Sequence, residues 1–251
     1  MLILLLISFL LIVSSLAMGF YHISIKELLM LLLYGEEAVT GENSSVFIII
    51  KNIRMPRIIA AFTIGAGLSM AGAAYQGMFK NPLVSPDILG VSNGAGLGAA
   101  LALTLGLSNF MVQVYAFVFG ILVVSLAYFI GSHAKFGHDV SLVLAGSMLG
   151  ALSSSFITLL KYIADPNDTL PAITFWLMGS LSKVTINSLL FSLIPMTLGC
   201  IIIYLLRWKL NLLTLGDEEA QAMGIDPKST RLIAIAAATI ISASAVCLGG
   251  L

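Results

Sequence analysis

The chain has 251 residues, of which 59% are hydrophobic and only 10% charged, with a mean hydropathy of +1.06. So few charges cannot cover a water-facing surface around this much Leu, Ile, Val and Ala, which excludes a soluble globular domain and makes lipid the solvent. A formal net charge of zero gives no reason to expect a nucleic-acid partner. Cys200 and Cys247 both lie in apolar runs, so neither a disulfide framework nor a metal site is suggested, and no cofactor is expected.

A hydrocarbon core about 30 Å thick needs roughly 20 apolar residues in a helix. About seven stretches approach that length: 2–21, 58–79, 92–107, 110–130, 141–163, 188–206 and 232–251. The first has no basic flank and no A-x-A site, so it reads as a span rather than a signal peptide. The third is short and rich in small residues. Continuous runs, rather than alternation at every second residue, favour helices over a barrel. The predicted fold is therefore all-α, a polytopic transmembrane helical bundle forming a single domain over residues 1–251.

Polar punctuation separates the spans. Residues 22–57 contain a short amphipathic stretch. Asn81-Pro82 and Ser85-Pro86 predict turns. Asp165-Pro166-Asn167-Asp168 precedes Pro171 and an apolar helix too brief to cross, and residues 207–231 form the largest polar segment of the second half. Small residues recur at four-residue spacing: Ala61, Gly65, Ser69 and Ala73; Gly94, Gly98 and Ala102; Gly146 and Gly150. Lipid supplies no hydrophobic drive between helices, so such positions predict close backbone approach in a packed bundle.

With Met1 placed in the cytoplasm, the basic residues divide six against six, and the positive-inside rule does not decide orientation. Lys51, Arg54 and Arg57 then cluster on the outside. Simple snorkelling of Arg57 to the headgroups would account for its place there.

Three stretches carry a resemblance. Arg54–Ala99 reads RMPRIIAAFTIGAGLSMAGAAYQGMFKNPLVSPDILGVSNGAGLGA, residues 165–182 read DPNDTLPAITFWLMGSLS, and residues 213–226 read LTLGDEEAQAMGID. They closely resemble the FecCD/BtuC-like permease family, which imports ferric siderophores, haem and cobalamin through ABC transporters. The resemblance implies a multi-pass permease subunit in the cytoplasmic membrane of a prokaryote, with a bilayer around it and a second permease subunit beside it. It also implies an extracytoplasmic substrate-binding protein docked on Arg54 and Arg57, whose guanidinium forks match carboxylates in pairs.

The third stretch is similar to the family's cytoplasmic coupling loop. Asp217–Glu219 put negative charge in a first helical turn and Gly224 supplies a stop. The resemblance implies that Gly216, Asp217, Glu218, Ala220, Met223 and Gly224 contact the ATP-binding subunit. For the pathway, Gln76 and Asn81 near the inner end of the second span are candidates. Asp139 and Ser141, where the family has its cytoplasmic gate, are two more, although acidic Asp139 departs from the small polar residues expected there.

Two other classes compete. An ion-coupled secondary transporter needs a coupling-ion site, often with buried Asp or Glu near mid-membrane, and the span interiors carry almost no ionisable residues. An intramembrane enzyme needs a histidine within a span, whereas His22, His133 and His138 fall at loops, and no HExxH, GxSxG or Walker A motif appears. Not an enzyme is the expectation. Family members usually continue through about three more spans, roughly ten in all, whereas this sequence stops at Gly249-Gly250-Leu251. An incomplete or non-functional truncated permease, or part of a split gene, is therefore expected, one unable to support transport alone.

Overall fold

The computed structural model describes residues 2–19, 23, 44–134 and 138–251, and among these every regular element is a helix. The amphipathic stretch expected within residues 22–57 falls largely outside the described residues. In chain order the helices are α1 (Leu2–Ala17), α2 (Ser44–Ile49), α3 (Met55–Phe79), α4 (Val91–Thr104), α5 (Asn109–His133), α6 (His138–Ile163), α7 (Thr169–Leu177), α8 (Ile186–Leu213), α9 (Asp217–Ala222) and α10 (Pro227–Gly249). A π-turn over Ile50–Arg54 joins α2 to α3, and a 3₁₀ turn over Leu181–Lys183 precedes α8.

Among the described residues, five helical stretches are long and apolar enough to cross a membrane: Val46–Phe79, Asn109–His133, Val140–Ile163, Ile186–Leu213 and Pro227–Gly249. The first and third stretches expected as spans form shorter helices, α1 of 16 and α4 of 14 residues. At 1.5 Å per residue α4 rises only about 21 Å. It stops because Leu105 leaves helical geometry and Gly106 takes φ +65°.

Two other boundaries moved for physical reasons. The second span extends back through the π-turn, a wider turn that passes the chain into Pro56, a residue with no N–H to donate. The sixth was expected to end at 206 with the apolar run, yet α8 continues to Leu213. Apolarity ends where hydrocarbon ends, but a helix can continue beyond it; Arg207 lies over the Tyr204 ring at 4.0 Å, its stem along the helix surface.

The chain divides into two compact units. The first comprises residues 1–62 and 181–189. There Ile23, Val46 and Ile50 form a small buried cluster, with Leu16 and Ile49 packed against it.

The second unit, residues 63–180 and 190–251, contains the main core. Its central element is α10, whose most apolar window is 67% buried, against 33% for α5. A helix can be surrounded only if its side chains are small, and Ala237, Ala238, Ala243, Ser244 and Ala245 are all buried on α10.

Specific contacts give the directions. A side chain on Gly94 would lie 2.8 Å from the Phe119 carbonyl, and one on Gly98 would strike that of Tyr115, so α4 and α5 run antiparallel at close backbone approach. Gly90, Asn93 and Gly96 meet Gly150, Ser154 and Ile157 in the same order, so α4 and α6 are parallel. Cys247 Sγ contacts the Gln113 carbonyl at 3.4 Å, while Leu232 and Tyr128 line one cavity; α10 therefore runs antiparallel to α5. Gly199 meets Ala237 and Ile241, pairing α8 with α10. The expected close approach thus holds for Gly94, Gly98, Gly146 and Gly150. It does not hold for Gly65, whose surroundings are open within 4 Å.

Candidate functional site

In the second unit these directions bring the end of α3, the start of α4, the end of α5, the start of α6, the end of α8, and α9 to one end. Of the basic residues described in this unit, Lys80, Arg207, Lys209, Lys228 and Arg231 lie at that end and Lys161 at the other. The even division counted along the sequence arises because Lys51, Arg54, Arg57 and Lys183 belong to the first unit.

At that end, α9 sits between two glycines with positive φ, Gly216 at +149° and Gly224 at +81°. Asp217, Glu218 and Glu219 occupy its first turn, where negative charge suits the exposed N–H groups. Ala220 is fully buried and belongs to the main core with Leu213, so it turns inward and anchors the helix. Gly216 is buried and Asp217 partly so, while Glu218, Met223 and Gly224 are exposed. The Ile225 N–H donates to the Ala220 carbonyl at 3.0 Å, closing the turn into α10. Asp226 then caps α10, accepting from the Lys228 N–H at 3.1 Å, with Pro227 in the first helical turn.

A residue that sequence reasoning did not place here completes the arrangement. Arg231 donates from Nη1 and Nη2 to the two carboxylate oxygens of Asp217, each at 2.8 Å. Its side chain is 7% exposed and that of Asp217 45%. Only the fork geometry of a guanidinium makes both bonds at once. Their 14-residue separation follows no helical period, so spacing could not reveal the pair.

The pathway candidates are dispersed. Gln76 donates from Nε2 to the carbonyls of Pro82 at 3.1 Å and Val84 at 3.4 Å. Asn81 Oδ1 accepts from the Leu83 N–H at 2.9 Å. Both side chains thus brace the connection after α3, which leaves the helix through Lys80 at φ +50°. Asp139 lies in the first turn of α6, and its side chain is outside the described residues. Ser141 is buried. Another interhelical polar contact is Ser154 Oγ donating to Asn93 Oδ1 at 3.2 Å, between α6 and α4.

In the first unit, Arg54 ends the π-turn and Arg57 opens α3. Arg54 is 9% exposed; its Nη1 donates to the Leu16 carbonyl in the last turn of α1, and Gly19 leaves room for the guanidinium. A cation at a helix C-terminus meets orphan carbonyls there. Arg57 is half-buried and donates from Nη2 to the Ser182 carbonyl at 2.6 Å. Both candidate docking arginines therefore hold backbone carbonyls of their own chain.

The profile of the FecCD transport family matches residues 4–251. The chain belongs to the FecCD transport family. This FecCD chain is similar to the molybdate import system permease protein of Haemophilus influenzae, 34% identical over 238 residues, covering 95% of this chain and 70% of that one. It is also similar to a probable iron chelatin transport system permease protein of Helicobacter pylori, 40% identical over 209 residues. That match covers 83% of this chain and 63% of the relative, so the FecCD chain spans under two thirds of that protein's length. Among solved structures it resembles one described as an inward-facing metal-chelate type ABC transporter, with 33% identity and a TM-score of 0.86. That likeness covers 99% of this chain and 75% of the other.

Proposed function

We propose that this chain is the membrane-spanning permease subunit of an ABC importer in the cytoplasmic membrane of a prokaryote. The observation that carries the reading is α9, anchored by Ala220 and Asp217 while Glu218, Met223 and Gly224 are exposed. An anchored helix with an exposed face can receive a push from a separate ATP-binding subunit and pass it to the spans on either side. The basic residues gathered at that end support a cytoplasmic position for it.

Arg54 and Arg57 are the proposed contacts for an extracytoplasmic binding protein. Arg57, half-buried, is the readier of the two to exchange a carbonyl for a carboxylate. A second permease subunit would complete the pathway, with Gln76, Asn81, Asp139 and Ser141 as candidate lining. The cargo read from the resemblance is a ferric siderophore or related metal chelate. Relatives named for iron chelatin, haemin and cobalamin support that class. A molybdate-type oxyanion is the second reading, favoured by the Haemophilus relative.

The test is co-expression with a nucleotide-binding subunit and a binding protein from the same genome, followed by purification through a tag on this chain. ATP hydrolysis by the complex, with none from the chain alone, is the expected result. Turnover by the isolated chain, or failure to retain the ATPase when Glu218 and Met223 are intact, refutes the proposal.

A further inference from the structure

We infer that Arg231 is a positioning residue that ties α9 rigidly to α10, so that a displacement of α9 is passed chiefly into the central helix of the main core. The inference rests on the importer reading above. Its observations are separate: they are bonds, burial and backbone angles within this chain, with Asp217, one of the residues the resemblance places against the ATPase, turned here toward Arg231.

The two junctions of α9 differ. On the α8 side the Thr214 and Leu215 N–H groups bond back into the end of α8, to the Asn211 and Leu212 carbonyls at 3.3 and 3.1 Å, and the chain then turns at Gly216, whose φ of +149° is open essentially to glycine. On the α10 side Gly224 also has positive φ, but four hydrogen bonds brace the connection. The Ile225 N–H reaches back to the Ala220 carbonyl, Asp226 caps α10, and the Arg231 fork closes on the Asp217 carboxylate. Asp217 stands in the first turn of α9 and Ala220 one turn later, so α9 is held at two points along its length.

Arg231 sits just past the first turn of α10, 7% exposed, with Thr230 and Ala234 buried beside it. From there α10 runs through the core, meeting α5 by Cys247, α8 by Ala237 and Ile241, and α3 by Ile241, which lies 2.9 Å from where a side chain on Gly67 would begin. A load on α9 therefore reaches a helix that touches three other spans. A lysine could hold the charge but not both oxygens, and it would leave α9 free to swivel about a single bond.

The experiment uses the full chain reconstituted in proteoliposomes with its nucleotide-binding subunit, reading ATP hydrolysis with and without the binding protein. Arg231→Glu is expected to reduce the stimulated-to-basal ratio on the order of tenfold, while basal hydrolysis and ATPase retention persist. Arg231→Lys is expected to fall between, and Asp217→Arg combined with Arg231→Asp to recover most of the ratio. An unchanged ratio in Arg231→Glu overturns the strut alone. So does loss of ATPase retention in every variant including the swapped pair, which would make the residue part of the docking surface or of the fold. Absence of stimulation in the wild-type complex counts against the importer reading, and the strut falls with it.

Discussion

Single residues in this chain are constrained chiefly by how closely backbones approach. Gly98 lies against the Tyr115 carbonyl, and Gly90 combines φ +79° with the Gly146 carbonyl 2.9 Å from where a Cβ would sit. Gly90→Ala is expected to cost about 2 kcal/mol or more, from left-handed strain plus overpacking. Gly65→Ala, with open surroundings in a helix, should be neutral or stabilise by up to about 1 kcal/mol. Thermal unfolding of the purified variants in one detergent checks both, and equal shifts would refute the packing described. Arg54→Ala should cost about 1.5–3 kcal/mol, the usual worth of a hydrogen bond from a charged group, measured in the same way. Sequence singled out Gly65, Gly98 and Arg54, though not Gly90, and did not say what each one touches. Gly65 and Gly98 have equal standing in a four-residue stripe, and only the neighbouring helix separates them. Arg54 and Leu16 lie 38 residues apart, beyond any local pattern.

At the level of elements, the long spans were legible because a hydrophobic run of bilayer length suits little else than a membrane crossing. The brief helix after Asp165–Asp168 was legible too, and α7 occupies Thr169–Leu177. What composition did not disclose was where helices continue after apolarity stops, as α8 does, or begin before it, as the Val46–Phe79 stretch does. The α4–α6 contact carries a prediction at this scale. Ser154→Ala removes the hydroxyl that bonds Asn93 Oδ1 and should destabilise by about 0.6 kcal/mol, the average for such bonds between membrane helices. A double-mutant cycle with Asn93→Ala isolates the coupling. A coupling energy indistinguishable from zero would show that the bond contributes nothing.

For the molecule as a whole, the directions of the spans make a topological statement that charge counting over the full sequence could not. In the second unit Leu105 and Met223 belong to opposite ends, and both are exposed. Cysteines introduced at these two positions should react with a membrane-impermeant maleimide from opposite sides of a sealed vesicle, with Met223→Cys labelled from the cytoplasmic side. Native Cys247 is buried and Cys200 lies within α8, so background labelling should be low. Labelling of both from one side would contradict the antiparallel order of α4, α5 and α10.

The shortness of α4 bears on how the protein is made. With 14 residues, many of them Gly and Ala, it offers the translocon little hydrophobic length, and its buried face is completed by helices that emerge from the ribosome later. It should enter the bilayer reliably only as one arm of a hairpin with α5, whose 25 largely apolar residues commit the pair. A reporter fused after Gly106 is then expected on both sides of the membrane, and one fused after His133 on a single side.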